Sequence, residues 1–277
     1  MAHDWLFYLL LSLIGVGVGA YGTLIGAGGG FLLVPILLFL YPRETPAQLT
    51  AVSLAAVFAN AASGSVAYLR ARRVDIRTAV PFALATIPGA VLGAVAVRGV
   101  PRGTFELIFG AVLGALALYL LWRPQRGLDA SSVFRPTTHR RLVDAEGNVY
   151  EYAFNLPLGI ALSAVVGFAS SFLGIGGGII HVPVMTQLLG FPVHVATGTS
   201  HAVLAVMAGT ATAVHAISGV FNPVIRRTLV LAAGVVVGAQ IGARLSAQTG
   251  GSRIVRLLGV GLLLVGARLL ASPWLPT

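Results

Sequence analysis

Ten apolar segments alternate with short polar stretches along the chain. Several approach the roughly 20 residues that a helix needs to cross a bilayer. Two segments, 29–41 and 178–190, are shorter and follow glycine clusters, so we predict half-helices, strongly bent spans or re-entrant pieces there. The ten segments span residues 5–24, 29–41, 47–69, 77–97, 104–122, 155–173, 178–190, 194–218, 226–246 and 254–272. This pattern predicts an all-α polytopic membrane protein with broken or short glycine-initiated helices.

The two halves of the chain repeat one another. The stretch GAGGGFLLVP at 26–35 nearly recurs as GIGGGIIHVP at 174–183, and further matches follow in order at offsets of 146 to 149 residues. The repeat covers about 22–122 and 170–271. We therefore expect a first transmembrane repeat in 1–122 and a second in 154–277, joined by a linker at 123–153. The later matches pair TAVS at 50–53 with TGTS at 197–200, and GAVLG at 89–93 with GAQIG at 238–242.

Composition and charge agree with a membrane protein. Only 9% of the residues are charged and the mean hydropathy is +0.91, whereas soluble domains carry about 25% charged residues. The net charge is +10 and all 18 basic residues are arginine. Because these arginines lie between apolar runs rather than on one globular face, they indicate membrane topology and not nucleic-acid binding.

Arginine placement favours opposite orientations for the two repeats. With the N-terminus outside and ten crossings, 12 arginines fall on the inner side and 6 on the outer side, as the positive-inside rule requires. We therefore expect inverted repeats of five segments in the cell membrane, multi-pass, with the N-terminus outside. If the short segments are instead re-entrant, each half crosses four times and the repeats are parallel.

The stretch 123–153 is the one sizeable polar piece. Residues 141–154 alternate apolar and polar side chains around Glu-Gly-Asn, which is typical of a β-hairpin. A flexible linker is the alternative. We expect this piece to be cytoplasmic.

The glycine clusters are candidates for an anion site. Three consecutive glycines favour unwinding, and unwound backbone at membrane depth must be buried in protein or line a wet cavity. The helix that restarts after each cluster offers free N–H groups and a positive dipole end, which attract an anion without a cationic side chain. The predicted backbone donors are Gly28, Gly29, Gly30, Gly176, Gly177 and Gly178. The other glycine pairs are interpreted as helix packing.

The doubled motif also resembles a known family. GxGGGxxxVP occurs in both halves and is followed in each by a proline and a Thr–Ser pair, a pattern that is similar to the TauE/SafE sulfite exporters. The resemblance covers nearly the whole chain. It implies a carrier for small sulfur-containing anions such as sulfite, sulfoacetate or other organosulfonates. The chain departs from its own repeat at His181, which stands where the first motif has Leu33.

Polar residues within the apolar segments supply candidate side chains, because such residues usually face the bundle interior. Hydroxyl and amide donors suit a sulfite or sulfonate oxygen, and two histidines offer a route for proton coupling. The predicted substrate-binding side chains are Thr50, Ser53, Asn60, His181, Thr197, Thr199, Ser200 and His201. Further intramembrane polar residues include Thr23, Ser63, Ser170, Ser171, Gln187 and Thr210.

Several functions are excluded or left as alternatives. The chain has no cysteine and no lysine, so thiol chemistry, Cys-based metal sites and a P-loop are absent. No catalytic pair is recognisable, and we expect no enzyme activity, no metal and no cofactor. The spans carry almost no carboxylate, which favours an anionic substrate over a cation. We expect a secondary transporter with alternating access; a non-transporting scaffold or assembly factor, or an anion channel, is the alternative.

Overall fold

The computed structural model describes residues 2–122, 135–222 and 224–271, and this part of the chain forms ten helices and one β-hairpin. A 3₁₀ turn at Val97–Gly99 follows the fourth helix, and a π-helical turn at Val184–Leu188 extends the seventh. The prediction of an all-α polytopic membrane protein is confirmed. The elements are α1 Ala2–Leu24, α2 Gly30–Leu40, α3 Pro46–Arg70, α4 Ile76–Ala96, α5 Arg102–Trp122, β1 Thr138–Val143, β2 Val149–Phe154, α6 Leu156–Leu173, α7 Gly178–Pro183, α8 Val193–Ile217, α9 Ile225–Gln248 and α10 Gly251–Ala271.

Seven helices among the described residues are long and apolar enough to cross a membrane. They lie in α1, α3, α4, α5, α6, α8 and α9. Their outer faces carry exposed aliphatic side chains, such as Leu84, Leu92 and Leu229. In water these side chains would be unfavourable, but in a bilayer they meet lipid tails, so the protein is an integral, multi-pass membrane protein.

The centre of the bundle is formed by α3 and α8, which pack against each other antiparallel. The end of α3 meets the start of α8, since Gly198 lies against the backbone of Arg73. Further along, Gly64 lies against His201. Around this pair, α1 packs on α9, α6 packs on α4, and α5 packs on α10. The first long helix of each half, α1 or α6, therefore packs against a helix of the other half, α9 or α4.

Small residues allow the outer pairs to approach closely. A Cβ atom added to Gly238 of α9 would lie 2.7 Å from the backbone nitrogen of Ala20 in α1. One added to Gly93 of α4 would lie 2.8 Å from the nitrogen of Phe172 in α6. The helix-packing interpretation of these glycines is confirmed. Gly17 differs, because no atom lies within 4 Å of its added Cβ.

The short helices α2 and α7 return toward the end of the bundle where the preceding helix begins. The carbonyls of Leu38 and Tyr41, at the end of α2, accept hydrogen bonds from Arg102, and Tyr41 lines a surface cavity together with Tyr8 of α1. We call this the α1 end. At 11 residues, α2 spans about 17 Å, roughly half of a bilayer core.

The opposite end of the bundle, the hairpin end, is covered by β1 and β2. Phe191, just after α7, packs on Tyr152 and Phe154 of β2 with ring centroids 4.6 Å apart, and α6 begins two residues beyond Phe154. The strands pair antiparallel from Thr138 opposite Phe154 to Val143 opposite Val149. The segment from α7 therefore ends beside the start of α6, as α2 ends beside the start of α1.

Two buried carboxylates fix the hairpin to the loop between α3 and α4. Asp75 caps α4 by accepting from the Thr78 backbone nitrogen at 3.2 Å, and it also accepts from the Tyr152 hydroxyl at 2.8 Å. Asp144, in the hairpin turn, lies 3.4 Å from Arg73. Burial alone would raise the pKa of Asp144, but hydrogen bonds from Asn148 and neighbouring backbone amides, with the Arg73 charge, lower it to about 2.

Candidate substrate site

Two breaks in the helical backbone stand at equivalent places in the two halves. The first break joins α1 to α2, and Gly28 and Gly29 there have φ angles of 74° and 82°. The second joins α6 to α7, where Gly176 and Gly177 have φ angles of 82° and 75°. Other residues rarely adopt this left-handed region. The GGG runs therefore supply turns that a side chain at these positions would strain.

The two breaks meet between α3 and α8. A Cβ atom added to Gly30 would lie 2.7 Å from the carbonyl oxygens of both Gly174 and Ile175. In the reciprocal contact, a Cβ on Gly178 would lie 2.7 Å from Ala27 Cα. The chain segments that interrupt the helices are thus in direct contact, so a ligand held by one break would lie next to the other.

Serines from the central helices hold each break from the opposite half. Ser53 of α3 donates its hydroxyl to the Gly174 carbonyl at 2.7 Å, and Ser200 of α8 donates to the Gly26 carbonyl at 3.5 Å. These serines occupy matching repeat positions. The reciprocal bonds couple the position of each break to the other half of the molecule.

The neighbouring threonines contact the same glycines but use their hydroxyls locally. Thr50 and Thr197 lie against Gly174 and Gly26, respectively. Their hydroxyls donate to carbonyls three residues earlier, at 3.1 Å for Thr50 and 2.9 Å for Thr197. Such back-bonding satisfies a hydroxyl within its own helix. In this conformation the two threonines shape the breaks through their methyl groups.

A chain of polar side chains leads from the first break to α8. Thr23 donates to Asn60 Oδ1 at 3.1 Å, and Asn60 donates from Nδ2 to the Gly28 carbonyl at 3.1 Å. His201 Nε2 lies 3.3 Å from the Thr23 hydroxyl. The other ring nitrogen of His201, Nδ1, is buried without a partner among the described residues.

Tyr68 closes this chain toward the hairpin end. Its hydroxyl donates to the Thr23 carbonyl at 2.6 Å, and its ring packs edge-on against His201. The side chain is fully buried. The sequence did not single out Tyr68, because a tyrosine two residues before Arg70 looks like an ordinary interfacial anchor. The matching position of the second half holds His215, which breaks the symmetry of the two ends.

Several backbone donors at the breaks are unused. Within the described residues, the N–H groups of Gly29, Gly30, Gly176 and Gly177 have no hydrogen-bond partner. The other two predicted donors bond within their own breaks. Gly28 donates to the Gly22 carbonyl at 3.1 Å, and Gly178 donates to the Gly176 carbonyl at 2.9 Å.

One unused side-chain donor lies beside the second break. The Ser170 hydroxyl is fully buried and, among the described residues, has no partner. It would lie 3.4 Å from a Cβ added to Gly177. The equivalent residue of the first half is Gly22, which has no side chain to offer. The second break is therefore the richer in free donors. Ser171, the next residue, instead lies against Gly93 of α4.

Two of the predicted site residues lie away from the breaks. His181 points into the α4–α6 contact, where its Nε2 is 2.9 Å from the Ser163 hydroxyl and its ring stacks on Phe82. Thr199 accepts a hydrogen bond from the Asp75 backbone nitrogen at 3.0 Å, at the hairpin end. Neither side chain contacts the glycine turns in this conformation.

The distribution of buried acidic residues is compatible with an anion at the breaks. All buried acidic residues of the described chain lie at the hairpin end, and no group of three histidine or acidic side chains there is arranged to hold a metal ion. Amide and hydroxyl donors without a carboxylate form an environment that favours a negative ligand.

Comparison with known proteins places the chain among membrane transporters. The model of the family "Sulfite exporter TauE/SafE" matches residues 11–269. The probable membrane transporter protein YunE of Bacillus subtilis is 30% identical over 273 residues, which are 95% of this chain and 97% of that protein. The probable membrane transporter protein ORF9 of a Sinorhizobium species is 28% identical over 99% of this chain and 97% of its own. No solved structure matches significantly.

Proposed function

The chain belongs to the TauE/SafE sulfite exporter family, and on that premise we propose that this membrane transporter moves small sulfur-containing anions such as sulfite, sulfoacetate or other organosulfonates. The substrate lies between the two glycine breaks. Four unused backbone N–H groups at the two breaks and the Ser170 hydroxyl beside Gly177 are the observation that carries this proposal. We propose export across the cell membrane, as the family name implies, and the arginine distribution supports an N-terminus outside.

Alternating access would arise from movement of one half against the other. We propose inverted repeats for the following reason. If α1 and α2 together enter and leave at the same end of the bundle, each half crosses the bundle three times, through α3, α4 and α5 or through α8, α9 and α10. An odd number of crossings makes the second half start at the opposite end from the first. The antiparallel packing of α3 and α8, which are equivalent helices, supports this arrangement. Broken helices that meet at the midplane of inverted repeats are a recurrent design for transporter binding sites.

We propose that proton coupling runs through His201 rather than His181. The supporting observation is that His201 joins the first break through Thr23 and has a free Nδ1, whereas His181 bonds Ser163 outside the breaks. A proton taken up at Nδ1 would place a positive charge near the bound anion. Such a charge would tie anion binding to protonation.

The first experiment measures uptake of sulfite and of sulfoacetate by purified protein in liposomes. Replacing Ser170 by alanine removes one donor to a charged ligand, worth about 1.5–3 kcal/mol, so we expect the apparent affinity to fall roughly 10- to 100-fold. Ser171→Ala is the matched control, because Ser171 faces α4, and it should keep the wild-type affinity. If neither anion is bound or moved, the substrate assignment is wrong.

A membrane scaffold without transport activity is the second candidate. It is favoured by the tightness of the breaks, where added Cβ atoms on Gly29 and Gly30 would approach within 2.7 Å of backbone oxygens. A closed conformation of a transporter would be equally tight. The liposome assay separates these two candidates, because a scaffold moves no anion. The same assay tests the channel alternative, since saturable flux that depends on exchange would argue against a channel.

A further inference from the structure

Two apolar side chains fill the space between the glycine turns. A Cβ atom added to Gly176 would lie 2.5 Å from Val57 Cγ1 and 3.2 Å from Leu204 Cδ1. One added to Gly28 would overlap Leu204 Cδ2 and lie 3.1 Å from Val57 Cγ1. Each of the two side chains therefore touches both breaks, and each is 1% exposed.

The pair reflects the internal repeat. Val57 of α3 and Leu204 of α8 are 147 residues apart, the spacing that relates the two halves, and they are buried in one cluster with Ala61, Ala208 and Ala211. The same cluster contains Leu54 and Met207, and Met207 lies against Gly177. Val57 and Leu204 are the two members that lie against glycines of both breaks.

We propose that Val57 and Leu204 form an apolar plug that controls access to the donors at the breaks and limits the size of the anion that passes. This inference rests on the proposed function for its substrate, but access itself can be measured without transport. A hydrated anion cannot pass two packed aliphatic side chains without losing water contacts, so the plug must separate during transport. Gly176, whose N–H group is unused, lies directly against both side chains.

The plug also predicts a preference among substrates. Val57 and Leu204 are packed against Gly28 and Gly176. A compact anion such as sulfite needs only a modest separation of the two side chains. A bulkier sulfonate requires a wider opening. Shortening either side chain should therefore favour the larger anion over the smaller one.

Cysteine labelling tests access directly, because the natural chain has no cysteine. Ser170→Cys places one thiol beside Gly177, and a methanethiosulfonate reagent that carries a sulfonate group serves as an anionic probe. In purified protein we expect Leu204→Ala to accelerate labelling of this thiol at least about tenfold, equivalent to lowering the access barrier by about 1.4 kcal/mol. The readout is the modified fraction against time, measured by mass spectrometry.

Leu189→Ala is the matched control. Leu189 is an equally buried leucine that packs in a separate cluster near the hairpin end, and that cluster contains no residue of either break, so its truncation makes a comparable cavity away from the breaks. It should leave the labelling rate unchanged. Val57→Ala, a smaller truncation, provides a second test if Leu204→Ala does not fold. Equal labelling rates in the plug and control variants would overturn the proposal.

Transport selectivity distinguishes this proposal from the substrate assignment. In liposomes, Leu204→Ala should raise the uptake ratio of sulfoacetate to sulfite severalfold over the Leu189→Ala variant. Faster labelling without uptake of either anion would support the plug while rejecting the proposed substrates. Intact wild-type transport with unchanged labelling would reject the plug while supporting the substrates.

Discussion

Replacing Ser53 by alanine should destabilise the protein by removing the bond that holds the second break. The Ser53 hydroxyl donates to the Gly174 carbonyl at 2.7 Å, and both groups are fully buried. Gly174 ends α6, so no later turn of that helix is available to satisfy its carbonyl. Leaving a buried acceptor unpaired costs about 1–3 kcal/mol, although hydrogen bonds between membrane helices average nearer 0.6 kcal/mol. We expect a loss of about 1–2 kcal/mol.

Two further variants give this prediction its controls. Thr50→Val keeps the methyl contact with Gly174 and loses only a bond to Ala47 within the same helix, so it should cost less. Ser200→Ala removes a bond of 3.5 Å, which is at the limit of a hydrogen bond, and should also cost less. Reversible unfolding in mixed detergent micelles measures all three. A Ser53→Ala variant as stable as Thr50→Val would show that the serine does not anchor the break.

Three other predictions follow from the polar contacts. His201→Gln should flatten the pH dependence of sulfite uptake in liposomes, whereas His181→Gln should keep the wild-type profile; identical profiles in both variants would reject proton coupling through His201. Tyr68→Phe should weaken the closure of the hairpin end and increase labelling of a cysteine at Thr23 from that side, and no change would argue against a closing role. The pKa of Asp144 is lowered to about 2, so its stabilisation of the hairpin is present above the unfolded pKa of about 4 and lost as the pH falls toward 2. Protease resistance of the hairpin should therefore fall over that range in the wild type but not in Asp144→Asn.

The helical architecture was predictable because apolar segment length and glycine interruptions are local signals. The segments 29–41 and 178–190 appear as Gly30–Leu40 and Gly178–Leu188, since a GGG run disfavours helix wherever it stands. The direction of these helices was not predictable. It depends on contacts such as those of Arg102 with the end of α2, which join residues far apart in the chain.

The candidate site was predictable by repeat position more than by residue type. Ser53 and Ser200 match in the repeat, and both reach a break. His181 and Thr199 were chosen for their chemistry and their nearness in sequence to the motifs, but helix rotation turns both toward other partners. Ser170 had a usable signal, because it replaces the glycine found at the matching position of the first half.

The central claim, that the glycine breaks hold an anion during transport, is tested most directly by counterflow of radiolabelled sulfite in liposomes. The comparison is between Gly177→Leu and Gly17→Leu, since Gly177 faces Met207 and Ser170 while Gly17 faces open space. We expect saturable counterflow in the wild type and in Gly17→Leu, and its loss in folded Gly177→Leu. Wild-type counterflow in Gly177→Leu, or none in the wild-type protein, would contradict the claim.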